Sequence, residues 1–436
     1  MEESSSSSFF SFQRHKVLIK GIIIAVLALM LMIPSMFVQG VITERQERQR
    51  EAVTEVRGKW ADTQTVTGPV LVIPFSFKKT DMTGRYEIAR DLAFFLPDNL
   101  DIHSTVTPEK KHRGIYDVML YSSSIQMNGS FSKLPLEKLK LQPSDMRWDE
   151  AYICINISDP RGLKQAVKFN WNNTEAELNP GMPDQTLFVN SFSVPVKVDS
   201  LNTEHGMSFS STIKLKGSKK LFFSPVGKQT TVEMVSTWKS PSFAGDQLPD
   251  SSIINNDGFK ANWQSLGHSR PFPQYWKTAV YDLETSAFGA DLFIEVSGYQ
   301  QTMRSVKYAI LCILLTFAAF FLIEIQNSKS LHPVQYALVG FALILFYTLL
   351  LSFSEYTGFN IAYVIASAAT IGLITWFAKS LLGSFKLSAV LAVVLVLLYS
   401  YVFTILQLQD YALLFGSIGL FLALAVVMYF SKKFKW

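Results

Sequence analysis

Charge is the scarcest ingredient of this chain. Asp, Glu, Lys and Arg make up 17% of its 436 residues, where a soluble domain carries about 25%. The deficit is uneven. Residues 40–303 are rich in Lys, Asp, Glu, Asn and Ser, whereas from Val306 to the end charges almost vanish. A soluble body joined to a membrane bundle follows, in keeping with a mean hydropathy of +0.21. Cysteine is nearly absent too: Cys154 lies in the soluble body and Cys312 in an apolar run, which argues against an internal disulfide. The six histidines show no HExxH spacing and there is no CxxC, so no metal or other cofactor is expected. No GxSxG elbow or phosphate-cradling glycine loop occurs. The net charge is only +5 and no basic stripe is interleaved with aromatics, which speaks against a nucleic-acid partner.

What the chain has in abundance is apolar runs of membrane length. A bilayer core of about 30 Å needs about 20 apolar helical residues. The first candidate is 17–38, longer than the roughly 7–15 apolar residues of a cleavable signal, and it reads as an uncleaved anchor. Five more follow at 306–325, 334–353, 359–378, 387–406 and 411–430. The breaks between them are short ("QNSKSLHP", "SEYTG", "KSLLGSFK", "QLQD"), which implies antiparallel neighbours. Lys and Arg near span ends set orientation. Arg14, Lys16, Lys20, Lys329, Lys379, Lys386 and the lysines of the 431–436 tail fall on one side if there are six spans. The short loops of the other side carry Glu355 and Asp410, and Arg45, Arg48 and Arg50 there alternate with Glu44, Glu47 and Glu51. Both termini, including the 1–16 tail with its low-complexity Ser4–Ser8 run, are thus expected in the cytoplasm. The 39–303 body is expected outside it, inserted between helices 1 and 2.

That body begins with "TERQERQREAVTEVRGKWADTQ", which reads as a helix continuing out of the membrane. From "VTGPVLVIPFSFKK" onward, short runs rich in Val, Ile, Phe and Thr alternate with turn clusters. "IYDVMLYSSSIQM", "AYICINI", "FSSTIKLKG" and "TTVEMVSTW" are examples. In "SVPVKVD", Val194, Val196 and Val198 share one face, the period of a half-buried strand. The fold class is therefore a membrane protein: a six-helix transmembrane bundle with a large mainly-β, sandwich-like domain.

Candidate site residues are few, because the spans carry no clear mid-membrane charge, where a charge is expensive and usually functional. Glu324 stands near one span end. His332, just before Pro333 at a helix start, reads either as a solvated interfacial histidine or as a pH-responsive partner of Glu324. At "SEYTG", Glu355 reads either as a plain turn or as a docking point toward the outer body, with Arg304 or Lys307 as partner. Tyr356 suits the aromatic interface belt and Gly358 a tight turn. Ala362, Ala366 and Ala369 recur at near-helical spacing and favour close helix packing. In the body, Asp159 and Arg161 of "SDPRGL" read as a turn closed by an Asp side chain. Trp238, Phe243, Asp246, Pro249 and Trp263 form an aromatic loop that either packs on the sheet or offers a recognition surface.

Several of these stretches carry a resemblance. "LHPVQY" (331–336), "SEYTGF" (354–359), "GPVLVIP" (68–74) and "WKSPSFAGDQLP" (238–249) resemble, in order and spacing, the CreD family of cell-envelope integrity proteins from Gram-negative bacteria. The resemblance implies an inner-membrane protein with its large domain in the periplasm. It also implies a link to envelope integrity, to a two-component regulatory system and to colicin and β-lactam responses. It brings no catalytic residue with it. The function expected is non-enzymatic: the periplasmic domain binds an envelope protein or cell-wall component while the bundle holds it at the bilayer. The alternative is a transporter or lipid-handling protein, with Glu324, His332 and Glu355 as its working groups.

Overall fold

The computed structural model describes residues 19–80, 86–181, 187, 188, 190–198, 206–292, 298–327, 331–408 and 411–431. The Ser-rich tail, Arg14, Lys16, Lys329, Asp410 and the C-terminal lysines lie outside the described residues. The chain divides into two compact units, one made of Met1–Arg50 with Val296–Trp436, the other of Glu51–Glu295.

The helices in chain order are α1 (Ile19–Trp60), α2 (Gly298–Lys307), α3 (Ala309–Gln326), α4 (Pro333–Thr357), α5 (Phe359–Leu382), α6 (Phe385–Gln407) and α7 (Ala412–Ser431). Among the described residues, α1, α4, α5 and α6 are each long and apolar enough to cross a membrane. The span expected at 306–325 is almost entirely α3; the polar α2, most of which precedes it, meets α3 at a 45° bend at Tyr308, and the pair makes a fifth candidate crossing if it acts as one. Pro34 explains a smaller irregularity at Leu31 in α1: a proline has no N–H to offer the preceding turn. The expected stripe of small residues on α5 is real for Ala362 and Ala366, which are fully buried, and continues through Thr370, Ile374 and Ala378. Ala369 departs from it and is exposed. Gly340 of α4 serves close packing, since Leu31 of α1 lies where a side chain at 340 would be. Tyr363 donates its hydroxyl to the backbone carbonyl of Tyr399 at 2.9 Å, joining α5 to α6.

The second unit is built on two sheets. One runs Ser251–Asn255, Gly258–Leu266, Gln229–Ser236, Asn99–Arg113, Tyr116–Phe131, Met207–Ser218, Lys168–Trp171, Thr174–Glu177. It alternates cleanly: Leu100, Ile102 and Val106 point inward while their neighbours face out. The other runs Ser242–Gly245, Phe288–Asp291, Lys220–Phe223, Gln64–Thr80, Tyr152–Ile157, Ser191–Pro195, Asn179–Pro180, and Tyr86–Phe95 pairs the far half of Gln64–Thr80. Its central strand Tyr152–Ile157 is buried at every position, so both faces are covered. Residues of both sheets belong to one apolar core, the arrangement of a β-sandwich. "SVPVKVD" keeps its inward face at Val194, Val196 and Val198, although the strand itself ends at Pro195. "GPVLVIP" opens on a bulge between Thr67 and Val70. Gly68 there has φ +127°, and a Cβ would come within 2.9 Å of the Cys154 carbonyl oxygen, so the position requires glycine.

Candidate functional site

Two carboxylates of the membrane unit are built into polar clusters at opposite ends of α4. Glu324, in the last turn of α3, is 4% exposed. Its Oε1 accepts from Lys20 Nζ of α1 and from the Leu331 backbone N–H at 2.9 Å. Its Oε2 accepts from the Tyr336 hydroxyl at 2.7 Å. Phe317 and Phe320 pack edge-on against the Tyr336 ring and fix its direction. His332 does not join this cluster. It caps α4, with Nδ1 accepting from Val334 N–H at 3.4 Å and its own N–H donating to Gln335 Oε1 at 2.9 Å. The reciprocal pair is a capping box with Pro333 in the first turn; of the two readings of His332, the structure has it exposed at the helix start and not bonded to Glu324.

Glu355 sits in the last turn of α4. Its Oε1 accepts from the Tyr299 hydroxyl of α2 at 2.8 Å and lies 3.9 Å from Arg45 Nε of α1. The partners expected from sequence, Arg304 and Lys307, are replaced by this tyrosine and this arginine. Tyr356 is 77% exposed. Gly358, at φ +78°, is the single residue joining α4 to α5. Along α4, Tyr336 and Glu355 stand about 28 Å apart at 1.5 Å per residue, close to the thickness of a hydrocarbon core. The two clusters therefore bracket the apolar slab, and each draws its cation from α1.

In the β unit the aromatic loop divides. Phe243 is on a strand and meets Phe259 and Trp263 edge-on at 5.7 and 5.6 Å. Trp263 is buried and stacks on Phe288, so it offers no surface. Trp238 is half-buried and donates its ring N–H to the Ser240 carbonyl at 2.9 Å. Asp246 is exposed and Pro249 half-exposed. "SDPRGL" does more than close a turn. Asp159 Oδ2 accepts from Arg161 Nη2 at 2.6 Å and from the Asp62 N–H at 2.8 Å, and Arg161 Nη1 reaches the Gly58 carbonyl in the last turn of α1 at 2.6 Å. The bonds from Arg161 hold the Asp159 carboxyl below its ordinary range.

The family model of the inner membrane protein CreD matches residues 16–436 of this chain. The chain belongs to the CreD family. It is 29% identical over 418 residues to the inner membrane protein CreD of Escherichia coli (strain K12), covering 94% of this chain and 91% of that one. The CreD-like stretch "LHPVQY" now has a physical content, for it supplies the Leu331 N–H, the His332 cap and the Tyr336 hydroxyl around Glu324. "SEYTGF" likewise supplies Glu355 and the Gly358 joint. Sequence reasoning missed Lys20, Tyr336, Tyr299 and Arg45 as members of these clusters. It also missed a cavity of about 480 Å³ at one end of the sandwich. The available signal was weak: Tyr336 and Tyr299 lie 12 and 56 positions from the glutamates they meet.

Proposed function

We propose that this CreD-family chain is a non-enzymatic inner-membrane protein that supports cell-envelope integrity and the stress response by binding an envelope component through its β unit. In this reading the chain crosses the membrane six times, with α2–α3 as one span and α7 as the last. Both termini lie in the cytoplasm and the β unit, between α1 and α2 in the chain, lies in the periplasm. The lysine asymmetry of the span ends supports the orientation. One observation carries the choice of binding over transport: Glu324, the buried carboxylate of the bundle, is closed by three internal donors. A charge that handles cargo must be able to exchange partners, whereas this one is held by three donors of its own unit.

The test is complementation of cells lacking the protein. A full-length Lys20→Met, Glu324→Met double variant should keep envelope protection at normal protein level. Loss of protection with normal protein level would make the bundle a working pathway and overturn the reading. Cysteine labelling from outside the cell membrane tests the topology: positions in the β unit should react and positions in the α3–α4 turn should not.

A further inference from the structure

One end of the sandwich holds the cavity of about 480 Å³, within the usual 300–1,000 Å³ of small-molecule sites. Its floor is apolar: Phe95, Leu96, Phe131, Leu134 and Phe272 line it, all of them buried against the core behind. Its rim is cationic. The exposed Lys138 and Lys228 line it. The acid of the lining, Asp98, is turned to Ser132, accepting from its N–H at 2.7 Å and its hydroxyl at 2.6 Å. Four chain segments meet here: the end of Tyr86–Phe95, the end of Tyr116–Phe131, the turn at Lys228 and the stretch after Gly258–Leu266.

The wall behind adds a further positive charge. Arg270 is 8% exposed, and its Nε and Nη1 have no hydrogen-bond partner among the described residues. Its Nη2 donates to Gln274 Oε1, and Gln274 lines the cavity, held by bonds from its Nε2 to the Leu96 and Pro97 carbonyls. The guanidinium lies over the Phe272 ring, 4.6 Å from its centroid. A buried cation is normally paired; this one is left to add its field to a rim that carries Lys138 and Lys228.

We propose that this cavity binds an anionic amphiphile, its phosphate or carboxylate head held by Lys138 and Lys228 and its hydrocarbon part on the Phe131–Leu134–Phe272 floor. The complementarity is of both kinds at once. Cations at the mouth attract the head, and apolar side chains below reward burial of a hydrocarbon chain. The inference deepens the reading of the β unit as the binding part of the protein and rests on it.

The test uses the full chain in amphipol with dodecyl phosphate carrying a diazirine at the end of its chain. After irradiation, the label is expected on peptides containing residues 131–135 and 272–275. A Lys138→Gln, Lys228→Gln double variant should lower the yield about fivefold, from two exposed charge contacts, and added salt should weaken labelling of the unaltered protein. Lys214→Gln, an exposed change on the Met207–Ser218 strand, should leave it unchanged. Inorganic phosphate and neutral dodecyl maltoside should each compete far less well than unlabelled dodecyl phosphate. Label spread over other peptides, or insensitivity to the double variant, overturns the proposal. Full competition by inorganic phosphate would make the site one for a free anion, and full competition by the maltoside would leave the lysines idle; either result overturns it as well. Failure here with envelope protection intact in the Lys20→Met, Glu324→Met cells would sink the ligand class and leave the wider function standing.

Discussion

Glu324 and Arg270 are buried to a similar depth, at 4% and 8% exposure, and the two units treat them differently. In the membrane unit Glu324 receives an ammonium, a hydroxyl and a backbone N–H. In the β unit the Arg270 guanidinium has one side-chain acceptor and two orphaned nitrogens among the described residues, and burial pulls it down to about 10. The difference follows from the surroundings. At the edge of a hydrocarbon slab an uncompensated charge is costly, and Glu324 is satisfied from within its own unit. A sandwich end borders solvent and tolerates an unpaired cation, and it does so beside a cavity. The satisfied group holds the fold, and the unsatisfied one marks where a ligand would add most.

The sharpest way to break this comparison is Glu324→Gln. Removing one partner of a buried ion pair costs about 3 kcal/mol, and the variant should show a lowered thermal midpoint for the full chain in detergent. Replacing both partners, Lys20→Met with Glu324→Met, should recover most of that loss, because no charge is then stranded. A double variant as unstable as the single one would mean that the cluster does more than neutralise itself.

Asp159→Asn comes next. It removes charge-assisted bonds from Arg161 and should cost about 2 kcal/mol at pH 7. Its pH dependence has a defined sign. The Asp159 carboxyl is held below its ordinary value, with its bond from Arg161 as the largest cause. Its contribution is full above the unfolded value of about 3.9 and is lost as pH falls through the lower folded value. Denaturant unfolding should therefore show the gap between wild type and Asp159→Asn narrowing only below about pH 4. A gap that closed already near pH 6 would assign it to some other group.

Much of this architecture is legible in the sequence, because it rests on short-range pattern. Apolar length marks α1, α4, α5 and α6, and alternation marks strands such as Asn99–Arg113. Pairings made at a distance are not legible. Lys20 meets Glu324 across 304 positions, and nothing local in either stretch names the other. His332 lies far nearer Glu324 in sequence than Lys20 does, but an unsatisfied helix start competes for its imidazole. Glu355 invited a basic partner from the adjoining helix, and a tyrosine hydroxyl serves instead. The bend at Tyr308 falls where the polar α2 gives way to the apolar α3, and a change of composition alone does not say whether the helix turns there.

Glu355→Gln compares the two glutamates directly. An amide oxygen can still accept from Tyr299, so what is lost is the 3.9 Å contact to a half-exposed Arg45. The expected cost is about 0.5 kcal/mol, several-fold below that of Glu324→Gln in the same thermal assay. Equal costs would show that Arg45 is held as tightly as Lys20.

The smallest effect runs the other way and belongs to Glu284. Burial pushes its carboxyl up from the ordinary value, against a bond donated by Asn156 Nδ2 at 2.6 Å, and Asp282 adds repulsion. A group with a raised folded value stabilises the fold while protonated, below about pH 4.3, and loses that contribution as pH rises through the folded value. At pH 7 the charged form is therefore a liability, as Arg270 is. Glu284→Gln keeps an acceptor for Asn156 without the charge. It should raise stability at pH 7 by less than about 0.5 kcal/mol and give no gain at pH 4. A gain that persisted at pH 4 would place its origin in packing, and Glu284 would then cease to be a second case of charge left unsatisfied in the β unit.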